Sequence, residues 1–274
     1  MKNTTNNSYL TRAVLLSFLI LTLLPGCTIQ KAIVEPPQQR GFIEYKHNEG
    51  EVTNQFPFAY TWIEPGIDSN AYSKIIFAPI DVSLIPDDDW LKSLDITIRT
   101  KSDYQEKTKQ IAQYFQNAVS EIFSEEKESR YTLVEAPDNT STGGKAVMTR
   151  APEKGTPGTV QVEIALTEII FGKPLVYAGT FAIPLPATSY MFDSVSSPML
   201  SMEGRVRDAV SGKIIAVFAD RKLPQVKPFD LNKFTTSSAL HEVIDRWADE
   251  LFRSFNREGN SIVKKTSTFS LIPW

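Results

Sequence analysis

One cysteine, Cys27, occurs in 274 residues, with two histidines, His47 and His241. No intrachain disulfide can form, and metal centres built from thiolates or several imidazoles lack ligands. Nowhere do about 20 apolar residues run together, the length that a permanent membrane-spanning helix needs. No dense run of Lys or Arg appears, so the electrostatic footprint of nucleic-acid binding is missing. No repeat of roughly 20 to 50 residues is present, which excludes solenoids and propellers. A G-x-S-x-G nucleophile elbow is absent as well.

What is present begins at the N-terminus. Lys2 and Arg12 precede Ala13 to Leu24 (AVLLSFLILTLL), which is apolar apart from Ser17 and Thr22. That run has the charge and length of a secretory signal core, with the small Gly26 at the expected cut. Plain secretion is one reading of it. A sharper one comes from the next residue. Leu24-Pro25-Gly26-Cys27 resembles the bacterial lipobox, Pro25 standing where a small residue is preferred. The resemblance implies a signal peptide at 1–26, cleaved before Cys27, with Cys27 as the lipid-attachment residue. It also implies an acylated amine, palmitate being the type of chain expected. Two or more chains hold a protein stably on a bilayer, because each buried CH₂ adds about 0.8 kcal/mol. Thr28 rather than Asp follows the Cys, which by the same resemblance favours the outer membrane, with the domain in the periplasm.

Removing residues 1–26 takes Lys2 and Arg12 from the 29 basic residues, leaving 27 against 32 acidic ones and a net charge of −5. Residues 27–40 then read as the lipidated Cys and a tether stiffened by Pro36-Pro37. Extended, the tether reaches roughly 45 Å at about 3.4 Å per residue. The segment 41–72 is aromatic-rich but broken by Pro57 and Pro65, and reads as a lead-in with short extended pieces.

Residues 74–84 read as the first strand, Ile76, Ala78, Ile80, Val82 and Leu84 sharing one face by period two. Ser102 and Gln105 have capping-box spacing and start a helix that runs to about Ser124. Its apolar stripe holds Tyr104, Ile111, Ala112, Phe115, Ala118, Val119, Ile122 and Phe123. Short strands follow at Tyr131 to Glu135 and Ala146 to Thr149. A strong strand covers Val160 to Phe171, with the side taken by Glu168 left open. Met202 to Ala209 and Lys213 to Arg221 make a hairpin around Gly212. Ser238 to Asn256 is a second helix, capped at Ser238, with a stripe from Leu240 to Phe255. Two helices with one greasy side each, and a small mixed sheet, predict an α+β domain over 41–256. Its two layers are the helices, on one face, and the sheet. Residues 257–274 form a C-terminal tail.

Four stretches carry a family resemblance: GFIEY at 41–45, AYSKIIFAPIDV at 71–82, MEGRVRDAVSGKIIAVFADRK at 202–222, and the helix with Trp247-Ala248. Together they resemble the uncharacterised bacterial lipoproteins of domain of unknown function 3313, over roughly residues 27–256. The resemblance implies a lipid-anchored envelope protein with a small α+β fold. It brings no accepted activity and no catalytic residues. Residues 175–200 depart from it, being apolar and Pro-rich.

Few motifs in the chain could carry chemistry. His241-Glu242-Val243-Ile244-Asp245 lacks the second His of H-E-x-x-H and reads as a polar helix face. Ser261-Ile262-Val263-Lys264 fits S-x-x-K without its partner motifs and lies in the tail. Ser141 to Lys145 lacks the first glycine of a phosphate loop. Asp87-Asp88-Asp89 lacks the spaced oxygens of a calcium loop and reads as a solvated acidic turn. No metal site, cofactor or catalytic set is expected. In residues 175–200, Asp193 is the only charge, and Pro184, Pro186 and Pro198 oppose a spanning helix. The segment reads either as a cover for the sheet or as an exposed patch that contacts a partner or lipid headgroups. Tyr177, Phe181, Tyr190, Met191 and Phe192 are the contact candidates on the second reading. The expected role is a non-catalytic binding or assembly component at the envelope, held on the membrane by its lipid, with a protein partner. The alternatives are an envelope hydrolase using Asp208, Glu203 or Asp220, with Asp208 also readable as a side chain bonding the turn backbone near Gly212, and a small-ligand carrier.

Overall fold

The computed structural model describes residues 40–45, 55–93, 98–126, 129–134, 156–172, 198–224, 236–259 and 261–265. All of them fall in one compact unit, Val34–Trp274. Six strands are described: β1 (Tyr60–Ile63), β2 (Lys74–Phe77), β3 (Thr132–Leu133), β4 (Thr159–Ile170), β5 (Met199–Asp208) and β6 (Ile214–Lys222). Three helices accompany them: the single turn α1 (Asp89–Lys92), then α2 (Lys101–Glu125) and α3 (Thr236–Phe255). The strands form one mixed sheet in the order β1-β6-β5-β4-β2-β3. Pairing is antiparallel from β1 to β4 and parallel from β4 through β2 to β3. The fold is α+β, as the sequence predicts.

The two long helices lie against each other on one sheet face. Phe115, Val119 and Phe123 of α2 share a core with Leu240, Val243, Ile244, Trp247 and Leu251 of α3. From the sheet come Ile75, Phe77, Val162, Ile164, Leu166, Leu200, Met202 and Phe218. Each long helix therefore buries the stripe that its own periodicity prescribes.

Several boundaries differ from the sequence reading. The α2 cap is Thr100, whose Oγ1 accepts from Asp103 N at 3.1 Å while Asp103 Oδ2 accepts from Thr100 N at 2.9 Å. The box is T-x-x-D, two residues earlier than S-x-x-Q, because the shorter Asp side chain closes the same ring. Helix α3 starts at Thr236, so Ser238 lies inside its first turn. Strand β2 is short, and it buries Ile75 and Phe77 rather than the Ile76 series. The apolar series from Ile76 to Leu84 runs mostly beyond the strand's end at Phe77, and within the strand Ile76 shares its face with Lys74. Beyond Phe77, Pro79 breaks the strand, and pairing resumes only as the bridge from Asp81 to Ala165. In β4 the register shifts between Leu166 and Glu168. That bulge keeps Leu166 and Ile169 in the helix-side core and turns Glu168 toward Arg221. In the sequence, β1 shows only as part of an irregular lead-in. Its Tyr60-Thr61-Trp62-Ile63 is β-prone and pairs with Ala219 to Ala216 of β6. The strand expected at Ala146 to Thr149 lies outside the described residues.

Candidate functional site

On the face opposite the helices, Tyr60, Trp62, Ala165, Val217 and Ala219 form a smaller apolar cluster with Phe42 and Ile43. Glu203 stands in its middle and has no solvent exposure. Its carboxylate accepts from the backbone N–H of Arg40 at 2.8 Å, Phe42 at 3.0 Å and Ile43 at 3.2 Å. Gly41, at φ +81°, gives the chain the left-handed step that points successive N–H groups at one anion. Tyr45 Oη donates a longer bond of 3.4 Å, and burial followed by the Glu203 charge pushes that phenol well above its usual range. Arg205 completes the clasp. It donates to the Phe42 carbonyl at 3.0 Å, lies 4.2 Å from the Phe42 ring centroid, and pairs with Glu163. The GFIEY and MEGR stretches are therefore two halves of one contact. The next residue, Gly204, faces the helices, and a Cβ there would lie 2.1 Å from Phe218 Cζ. Phe218 covers the bare backbone, so only glycine fits.

Asp220 is bound as firmly on the helix side. It accepts from Trp247 Nε1 at 2.9 Å and from Ala59 N at 3.1 Å, tying β6 to α3 and to the lead-in. Lys222 lies 3.4 Å from it and pairs with Glu250, which is also buried. At the same end of the sheet, Arg221 makes a two-point contact with Glu168 at 2.9 and 3.1 Å. Burial raises the Glu168 pKa, against the lowering effect of Arg221. Asp89 corrects the expectation of a solvated acidic turn: it is wholly buried, with Lys92 on Oδ1 at 2.6 Å and no partner for Oδ2.

Asp208 accepts from Ser211 N at 2.6 Å, Ser211 Oγ at 2.7 Å and Val210 N at 3.2 Å. The Ser211 hydroxyl bond, then its backbone bond, pull the carboxyl below its usual value. The three acids of the hydrolase alternative thus each have a structural duty, and they sit at different places. His241 stacks on Tyr114 with ring centroids 3.7 Å apart, while Asp245 accepts from Tyr114 Oη at 2.8 Å. Among the described residues no group of three metal-ligating side chains occurs. The S-x-x-K stretch is not a helix start; Val263 is buried, its N–H donating to Gln55 O at 3.0 Å. Cys27, Tyr177, Phe181, Tyr190, Met191 and Phe192 lie outside the described residues.

A cavity of about 200 Å³ opens to solvent between the sheet, the segment from Phe56 to Tyr72 and the last turn of α3. Its walls are mainly apolar, with Phe58, Tyr131, Phe218 and Phe255 among them, and Arg130 and Arg257 also line it. Arg257 lies 4.4 Å from the Phe56 ring centroid and donates to Gln55 Oε1 at 3.0 Å; burial lowers its pKa. Nothing in the sequence marks these residues as one site. The aromatic lead-in was the only signal, and it gives no hint that Arg130 and Arg257 converge.

The family model described as "Protein of unknown function (DUF3313)" matches residues 49–251. No match is found among curated proteins. Two solved structures share a weak likeness, the PelC dodecamer from Paraburkholderia phytofirmans and a single-residue variant of it. Each is 9% identical, covers 70% of this chain and 94% of its own, and has a TM-score of 0.31. That score is too low to carry architecture, ligand or assembly across. No described helix is long and apolar enough to cross a membrane.

Proposed function

The chain belongs to the DUF3313 family, and from that premise we propose that it is a lipid-anchored, non-catalytic binding or assembly component of the cell envelope. The observation that carries the reading is Leu24-Pro25-Gly26-Cys27 at the end of an apolar run. Lipid on Cys27 holds the chain on the outer membrane, and the domain faces the periplasm on the tether 28–40. The Glu203 clasp supports this use. A domain hung by its N-terminus needs the base of its tether fixed to the central sheet, and Arg40, Phe42 and Ile43 are bound there through backbone N–H groups. Tyr177, Phe181, Tyr190, Met191 and Phe192 are the candidate contact residues for a protein partner.

The test is fractionation of cells fed a clickable fatty acid. The parent chain takes the label and sediments with envelope membranes; Cys27→Ala takes none. Equal labelling of the two chains, or an unlabelled parent, defeats the anchor. The partner is sought by cross-linking in intact cells. Replacing the five contact residues by Ser abolishes specific adducts that the parent forms, whereas unchanged adducts remove the insert from the interface. One observation favours a second role beside the first, small-ligand carriage: the open cavity beside the core.

A further inference from the structure

We infer that this cavity binds a small apolar carboxylate, its body among the aromatic rings and its acid group on Arg257 and Arg130. Size sets the first limit. An apolar cavity of about 150 Å³ takes benzene, so one of about 200 Å³ takes an aryl or short acyl group with a few more atoms. Phe56, Phe58, Tyr72, Tyr131, Phe218 and Phe255 all reach the lining, and ring edges and faces on several sides favour an aromatic body.

Charge sets the second limit. Arg257 donates only to neutral acceptors, Gln55 Oε1 and the Ser261 carbonyl, and Arg130 uses one N–H on the Ser69 carbonyl at 2.5 Å. Neither pairs with a carboxylate among the described residues, and no Asp or Glu is among the described residues lining the cavity. Each guanidinium has five N–H donors, so several stay open for an anion. Both are already oriented by rings, Arg257 by Phe56 and Arg130 by Tyr131 at 5.0 Å, which lowers the entropy lost on binding. A cation would meet two like charges here. A neutral apolar molecule would fill the cavity and leave both guanidiniums unanswered. An apolar acid satisfies walls and mouth together.

The experiment uses the full chain in phosphatidylcholine nanodiscs, with empty discs as background, and does not depend on whether Cys27 carries lipid. A failure here therefore leaves the anchor reading standing, and a failure of the anchor leaves this one standing. 3-Phenylpropanoate, octanoate and the uncharged 3-phenylpropanol are titrated by calorimetry. The phenyl acid is expected to bind saturably at one site, and the alcohol about tenfold more weakly, equivalent to about 1.4 kcal/mol. Octanoate in place of the phenyl acid as the tighter ligand makes the body a lipid-like chain, still within the proposal. Arg257→Gln and Arg130→Gln each weaken the acid and leave the alcohol unchanged. Ala216→Phe, which puts a ring into the cavity, removes both ligands while the thermal melt stays cooperative. Absence of saturable binding by either acid overturns the inference, as do equal affinities for acid and alcohol, or acid binding indifferent to Ala216→Phe and to both arginine variants.

Discussion

Glu203 is the side chain on which the open face of the sheet is organised. A buried carboxylate without partners is costly, but three backbone N–H groups answer it here. Truncation to Ala strands those donors under Phe42 and Ile43. Glu203→Ala should therefore lose about 3 kcal/mol or more in urea unfolding, each orphaned buried donor costing about 1–3 kcal/mol. Gly204 answers a different demand. Gly204→Ala pushes a methyl into Phe218 and should cost about 1–3 kcal/mol, and adding Phe218→Leu should recover part of that. A double variant no better than Gly204→Ala would show that the ring is not the obstacle. Asp208 gives the pH signature. Its folded pKa lies below the unfolded one, so its stabilisation is complete above about pH 4 and is lost as pH falls through the lowered folded value. Melting curves of the parent and Asp208→Asn should differ at neutral pH and converge in acid. A gap that widens in acid would reverse the sign.

At the scale of elements, long stripes were readable and short strands were not. Helices α2 and α3 announce themselves because eight apolar residues in each fall at helical spacing, and the hairpin because Gly212 separates two alternating runs. Strand β1 is four residues long and starts three residues after Pro57, so only its pairing with β6 makes it a strand. The face of β2 is misread from the sequence because the longer apolar series, Ile76 to Leu84, lies mostly beyond the strand's end at Phe77. The Glu168 bulge was visible only as a conflict between a charge and an apolar pair. The cap of α2 carries its own test: Thr100→Ala should destabilise the domain by about 1 kcal/mol, read as a lower urea midpoint with an unchanged slope. Trp247 joins α3 to the sheet by packing and by its bond to Asp220. Trp247→Phe leaves the ring contact but strands a buried carboxylate oxygen. It should cost more than the cap does, and a smaller loss would mean that Lys222 alone satisfies Asp220.

For the whole molecule, the α+β architecture followed from amphipathic helices and a mixed sheet, but the division of labour among acids did not. Glu203, Asp208 and Asp220 look alike as candidates in the sequence; donor geometry, with burial at Glu203 and Asp220, gives each of them a structural duty. The cavity was equally illegible, because Phe56, Arg130, Phe218 and Arg257 lie far apart along the chain and meet only through the fold. The proposed address, by contrast, rests on residues 24–27 alone, and the proposed role depends on it. Mass spectrometry of the N-terminal peptide from the protein isolated out of its own cells tests this most directly. The expected peptide begins at Cys27 and carries a thioether-linked diacylglycerol with an acylated amine. A peptide that begins upstream of Cys27, or a Cys27 without lipid, would contradict it.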